Sequence, residues 1–126
     1  MREAAIISDV RTPVGKLCGA LSNMPVEQLG SCVLKEAVAR SGIDVNIVDE
    51  VIFSNSCNKN FGVPARTFSL YAGFPVEVPG FEVGRACASS LTGLCLAKLL
   101  IESGTADTVV VGGMESCTRA PWLMEK

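Results

Sequence analysis

The run Val109-Val110-Val111, inside an apolar stretch from Asp107 to Gly113, places the tightest constraint on the fold. Neighbouring side chains of an extended segment point to opposite faces, so consecutive β-branched residues make both faces apolar. That pattern predicts a central strand of a parallel sheet, with cover on each face. One covering element lies just upstream. Leu91 to Ile101 is apolar around nearly its whole circumference, with Lys98 and Glu102 the only charged residues before Gly104, which predicts a helix buried on most sides.

The rest of the chain alternates in the same way. Ala4 to Val10 reads as a short strand, ended by Arg11-Thr12-Pro13 because proline lacks the amide a ladder needs. Gly15 to Met24 reads as a loop. Pro25 suits the first residue of a helix, Glu27 lies in its first turn, and Val26, Leu29, Val33, Ala37 and Val38 recur at spacings of three and four up to a stop at Gly42. Val51, Ile52 and Phe53 mark a strand within Val48 to Asn55, and Pro64 and Gly73 bracket a second helix. Val76 to Val83 is extended but broken by Pro79-Gly80, leaving Phe81 to Val83 as the strand. The order β-α-β-α-β-α-β predicts an α/β fold with helices on a mostly parallel sheet. No internal repeat or linker divides the 126 residues.

Composition removes several classes of function. With 48% hydrophobic and 19% charged residues the chain is globular rather than disordered. Eleven basic residues against thirteen acidic ones give a net charge of −2, and the basic residues are scattered, which argues against nucleic-acid binding. No apolar run approaches the roughly 18 to 20 residues that span a bilayer, and the Met-Arg-Glu start lacks a signal peptide's apolar core, so the expected location is the cytoplasm. There is no histidine, and the six cysteines form no CxxC pair. Disulfide and metal sites are therefore not expected, and most cysteines are expected to be reduced thiols used as small core residues.

One cysteine has a different setting. In Phe81-Glu82-Val83-Gly84-Arg85-Ala86-Cys87-Ala88-Ser89-Ser90-Leu91 a strand ends near Gly84, the chain turns, and Cys87 falls at the start of the apolar helix. Such a strand, turn and helix has the logic of a nucleophile elbow. The helix N-terminus favours negative charge on the sulfur, and a free backbone N–H at Cys87 could donate to an oxyanion. Free cysteine is also among the most buried residue types, so Cys18, Cys32, Cys57, Cys95 and Cys117 keep a structural reading. For Cys87 the small residues Ala88, Ser89 and Ser90 leave room for a substrate, and on the residues alone both readings stay open. A second segment, Val111-Gly112-Gly113-Met114-Glu115-Ser116, lies at a strand's carboxyl end, where ligands of α/β sheets gather and glycines permit close backbone approach. A plain exit from strand to loop explains it equally well. No glycine-rich nucleotide-binding pattern is present.

Taken in order, several of these segments resemble the thiolase family, coenzyme A-dependent acyltransferases that form or cleave 3-ketoacyl thioesters. The resemblance rests on Arg11-Thr12-Pro13-Val14-Gly15-Lys16, Val48-Asp49-Glu50-Val51-Ile52, Pro64-Ala65-Arg66 with Ala72-Gly73-Phe74-Pro75, Cys87 with its small neighbours, and Gly112-Gly113-Met114-Glu115-Ser116 leading to Ala120-Pro121. It implies a layered thiolase-like fold with a mixed, mostly parallel sheet. Residues 1–126 would form an incomplete N-terminal half-domain, with the loop domain and C-terminal domain absent and one sheet edge open. It also implies that Cys87 is the nucleophile that carries the acyl thioester, with coenzyme A and acyl-CoA thioesters as substrates and no separate cofactor or metal. The family's histidine base and second cysteine belong to its C-terminal half. The chain would thus be inactive alone and act as a homo-oligomer or paired with the missing half. Gly84 stands where many thiolases carry asparagine and Ser90 where many carry glycine. The Cys87 segment looks closer to degradative enzymes, and Gly112 to Ser116 to the acetoacetyl-CoA group. Two rival readings are a decarboxylating 3-ketoacyl synthase and a non-catalytic thiolase-like subunit that binds acyl-CoA or a partner.

Overall fold

Proline and glycine set the helix limits where the spacing places them. In the computed structural model, which describes residues 2–57, 62–122 and 124–125, helix α1 (Val26–Ser41) starts after Pro25 and helix α2 (Pro64–Ala72) starts on its own proline. Each ends at a left-handed glycine, Gly42 with φ 71° and Gly73 with φ 89°. Only glycine adopts that conformation without a steric cost, and it turns the next amide back onto the last turn.

Three strands form one parallel sheet: β1 (Glu50–Ser54), β2 (Gly80–Glu82) and β3 (Val109–Gly113), in the order β2-β1-β3. Ile52 pairs with Phe81 on one side and with Val111 on the other. Asp49 fixes that register at the entry to the sheet. Its Oδ2 accepts from the Asp107 and Thr108 N–H groups at 2.7 and 2.9 Å, and these bonds to the charged form hold its carboxyl below the ordinary aspartate range. On the other side, Arg66 donates from Nη1 to the Val78 carbonyl at 2.8 Å and from Nη2 to the Val76 carbonyl at 2.7 Å, tying α2 to the segment that leads into β2.

The two faces of β1 are covered by different layers. Val51 and Phe53 belong to a core with Val26 and Leu34 of α1 and Ala65 and Phe68 of α2. There the Phe53 and Phe68 rings meet edge to face, centroids 5.5 Å apart. Ile52 faces helix α3 (Ser89–Glu102), which approaches closely because of Gly93: a Cβ there would stand 3.0 Å from Val111 Cγ1 and 3.2 Å from Ile52 Cγ2. The result is the α/β arrangement with helices on both faces of a parallel sheet.

Four sequence expectations are corrected. Ala4 to Val10 forms no strand; residues 4–8 line a largely apolar cavity of about 390 Å³ together with Val109 to Val111 of β3 and Leu94, Ala97 and Ile101 of α3. A strand needs a partner roughly 4.8 Å away, and among the described residues the ladder holds only β1, β2 and β3. Among the described residues β3 is consequently an edge strand with Val109 to Val111 half-buried, and β1 is the centre. Helix α3 buries only Ser89, Gly93 and Ala97, the single row four residues apart that meets the sheet, while Leu91, Leu94 and Leu99 are exposed. Finally, all six cysteines are free and exposed rather than core residues: Cys32 and Cys95 sit on outward helix faces, and Cys18, Cys57, Cys87 and Cys117 on segments outside the helices and strands of the core. Among the described residues, no helix is long and apolar enough to cross a membrane, and no group of three or more cysteine, aspartate or glutamate side chains could hold a metal ion.

Candidate active site

A parallel sheet delivers the carboxyl ends of all its strands to one end of the molecule, and the segment after β2 carries a left-handed residue there. Ala86 adopts φ 48°, a left-handed conformation that costs a residue with a Cβ roughly 1–2 kcal/mol. Gly84, near which the sequence places the end of the strand, has open space around it and no positive φ. The strain is held one residue before Cys87.

Ser89 is what holds it. Its buried hydroxyl accepts from the Arg85 N–H at 2.6 Å and donates to the Ala86 carbonyl at 2.7 Å, closing the turn from both sides. Cys87 occupies the middle of a one-turn 3-10 segment, Ala86–Ala88, that runs directly into α3. The Ala88 N–H donates to the Arg85 carbonyl at 3.1 Å, and the Ser89 N–H to that of Ala86. The Cys87 amide precedes both of these bonds, the position where a helix start leaves N–H groups to outside acceptors. The thiol is exposed.

Glycines bring the end of β3 up to this turn. A Cβ on Gly112 would stand 2.5 Å from the Phe53 ring, and one on Gly113 would collide with Ser90 Oγ, which lies 3.5 Å from the Gly112 carbonyl. Both glycines are thus needed for the protein's own packing. Beyond the glycines, buried Asn55 donates to the Met114 carbonyl at 3.1 Å. Glu115 Oε2 accepts from the Ser56 and Cys57 N–H groups at 2.8 and 3.0 Å. The Glu115 charge in turn raises the Cys57 thiol above its ordinary range, with smaller contributions from partial desolvation and from the Cys117 and Cys87 thiols.

Two sequence segments meet at a cavity of about 740 Å³: Arg11 to Lys16 lines one wall and Gly112 to Ser116 another. Cys87 lines neither cavity and is exposed. Sequence reasoning missed Ser89, Asn55 and Glu115 as the residues that build this end of the sheet. A serine at a helix start is a common residue, but Ser89 caps no amide of α3 and bonds the turn before it. Nothing local marks Asn55 and Glu115, whose partners lie 58 or 59 residues away.

The description "Thiolase, N-terminal domain" matches residues 4–126, nearly the whole chain. The chain belongs to the thiolase family. Among its relatives, a cytosolic acetyl-CoA acetyltransferase of Gibberella zeae is 44% identical over 92% of this chain and 30% of its own length. An acetyl-CoA acetyltransferase of Escherichia coli is 39% identical over 99% of this chain and 32% of its own. The crystal structure of the Bacillus anthracis acetyl-CoA acetyltransferase superposes with a TM-score of 0.95 at 35% identity, covering all of this chain and 32% of that one. This thiolase domain thus spans about a third of the length of the curated relatives it matches.

Proposed function

We propose that Cys87 is the acyl acceptor of a thiolase reaction, taking an acyl group from a 3-ketoacyl-CoA such as acetoacetyl-CoA and passing it to coenzyme A. The carrying observation is the Ser89-clamped turn, which presents an exposed Cys87 thiol ahead of α3 at the carboxyl end of a parallel sheet. In this scheme the Cys87 thiolate attacks the 3-keto carbon and the Cys87 N–H donates to the oxygen as charge develops. The bond between C2 and C3 then breaks, the acetyl-CoA enolate leaves and takes up a proton, and the acyl group stays on sulfur. Coenzyme A attacks that thioester and regenerates the thiol.

Two proton transfers in the scheme need a group that titrates near neutrality, and no histidine is present among the 126 residues. The base belongs to the C-terminal half that the family members carry, supplied on the same polypeptide or by a partner. That half or a second copy would also cover the exposed Leu91 and Leu99 of α3. We place the protein in the cytoplasm, the location that the Gibberella zeae relative's name gives for that protein.

The test is incubation of the purified 126-residue chain with acetoacetyl-CoA, followed by mass spectrometry and a thiolysis assay. An acyl adduct on Cys87 without repeated turnover is expected. Sustained thiolysis would refute the missing base, and an adduct on another cysteine or on none would refute the nucleophile.

A further inference from the structure

The missing side chain of Gly113 leaves a space in which two serines from different elements meet. Ser54 ends β1 and pairs in register with Gly113 of β3. Side chains alternate along a strand, so Ser54 turns away from the Phe53 layer and shares the face of Ile52, toward α3. A Cβ on Gly113 would stand 3.5 Å from Ser54 Cβ and would also strike Ser90 Oγ, on the first turn of α3, so both serine side chains border one point. Their hydrogen bonding is incomplete. Ser54 is 5% exposed, and its buried hydroxyl has no hydrogen-bond partner among the described residues. Ser90 Oγ lies 3.5 Å from the Gly112 carbonyl, well beyond the roughly 2.7–2.8 Å of a strong hydroxyl bond, and its oxygen can still accept.

We propose that Ser54 and Ser90 act as one hydrogen-bonded pair that positions the turn carrying Cys87. Rotation of Ser54 between staggered χ1 settings aims its O–H at Ser90 Oγ, and Ser90 donates in turn to the Gly112 carbonyl. This chain fastens the first turn of α3 to the ends of β1 and β3, at the residue after the Ser89 that closes the turn. Both serines are positioning residues, acting through the turn and not on the reacting atoms. The role deepens the acyl-transfer reading and rests on it for the importance of Cys87. The pairing predicts a change of sign. A lone hydroxyl in the core weakens the fold, so removing an isolated Ser54 hydroxyl would stabilise the chain. In the pair, Ser54→Ala destabilises it, and the same substitution becomes stabilising once Ser90→Ala has removed the partner.

The 126-residue chain, Ser54→Ala, Ser90→Ala, the double variant and the hydroxyl-retaining Ser90→Thr are compared by urea unfolding and by iodoacetamide labelling with peptide mapping. Each single alanine variant is expected to raise the unfolding equilibrium constant, and to lower the ratio of Cys87 to Cys95 label, by about two- to tenfold. The double variant should unfold less readily than Ser90→Ala, and Ser90→Thr should keep the ratio of the unsubstituted chain. Stabilisation by Ser54→Ala alone, single effects that simply multiply in the double variant, an unchanged label ratio, or a ratio in Ser90→Thr as low as in Ser90→Ala overturns the proposal. The labelling also keeps the two readings apart. Cys87 labelled no faster than Cys95 in the unsubstituted chain, with the change of sign and the fall in ratio both present, would contradict the nucleophile and sustain the serine pair.

Discussion

The two sides of the sheet begin from similar sequence and reach opposite outcomes. On the side of α1 and α2, Phe53, Ala65 and Phe68 are fully buried, and Gly30 lets the Phe68 ring within 2.6 Å of where a Cβ would stand. On the side of α3 and the outer edge of β3, Leu91 is 66% exposed, Leu99 60% and Ile6 78%. Val109 to Val111 and Val51 to Phe53 are equally apolar runs, yet only the second is enclosed. An apolar run states that a face requires cover. Whether the cover is present depends on which elements pack there, and α1 and α2 close one side of the sheet while α3 offers a single row of contacts to the other.

Substitutions break that contrast most directly. Phe68→Ala opens a cavity in the closed layer and should cost about 3–5 kcal/mol in urea unfolding. Leu99→Ala on the open layer should change stability by no more than about 0.5 kcal/mol. Equal losses would show that the α3 face is packed as tightly as the α1 and α2 face.

A smaller effect is expected where the open side meets the proposed chemistry. Ser89→Ala leaves the Arg85 N–H and Ala86 carbonyl without their shared partner and should cost about 1–3 kcal/mol. The same variant should lower the alkylation rate of Cys87 while leaving that of Cys95 on α3 unchanged, because only Cys87 depends on the clamped turn. Parallel changes at both sites would instead report a general loosening.

The smallest effect concerns the sheet entry. Bonds from Asp107 and Thr108 hold the Asp49 carboxyl below its ordinary range, so the stabilisation is complete above the unfolded aspartate value of about 3.9 and is lost as pH falls through the lowered folded value. Asp49 is exposed, and screening limits its contribution at neutral pH to about 0.5–1 kcal/mol. Asp49→Asn should flatten the acid limb of a plot of stability against pH. An unchanged acid limb would remove Asp49 from the account.

Much of the fold was legible because proline, glycine and periodicity act locally. Pro25 and Gly42, and Pro64 and Gly73, bound the two helices within a residue of where the sequence places them. The Ala4 to Val10 strand was not legible, because an extended apolar segment becomes a strand only beside a partner at bonding distance, and pairing is not a local property. Burial of the cysteines failed for a related reason: residue preference does not fix position, and Cys32 and Cys95 fall on outward faces of their helices while the other four lie on segments outside the helices and strands of the core. At the candidate site, Cys87 and its turn were readable from strand, small residues and helix in succession. Ala86 as the strained residue was not, since an alanine carries no local mark of a left-handed conformation and the clamp comes from Ser89, three residues on.

On this reading the turn before α3 makes Cys87 the reactive thiol among six exposed cysteines. Exposure alone would treat all six alike, so limited alkylation by iodoacetamide with peptide mapping separates setting from accessibility. Label concentrated on Cys87 at low conversion, ahead of Cys18, Cys32, Cys57, Cys95 and Cys117, is the expected result. Even labelling across the six, or label led by another cysteine, would contradict it.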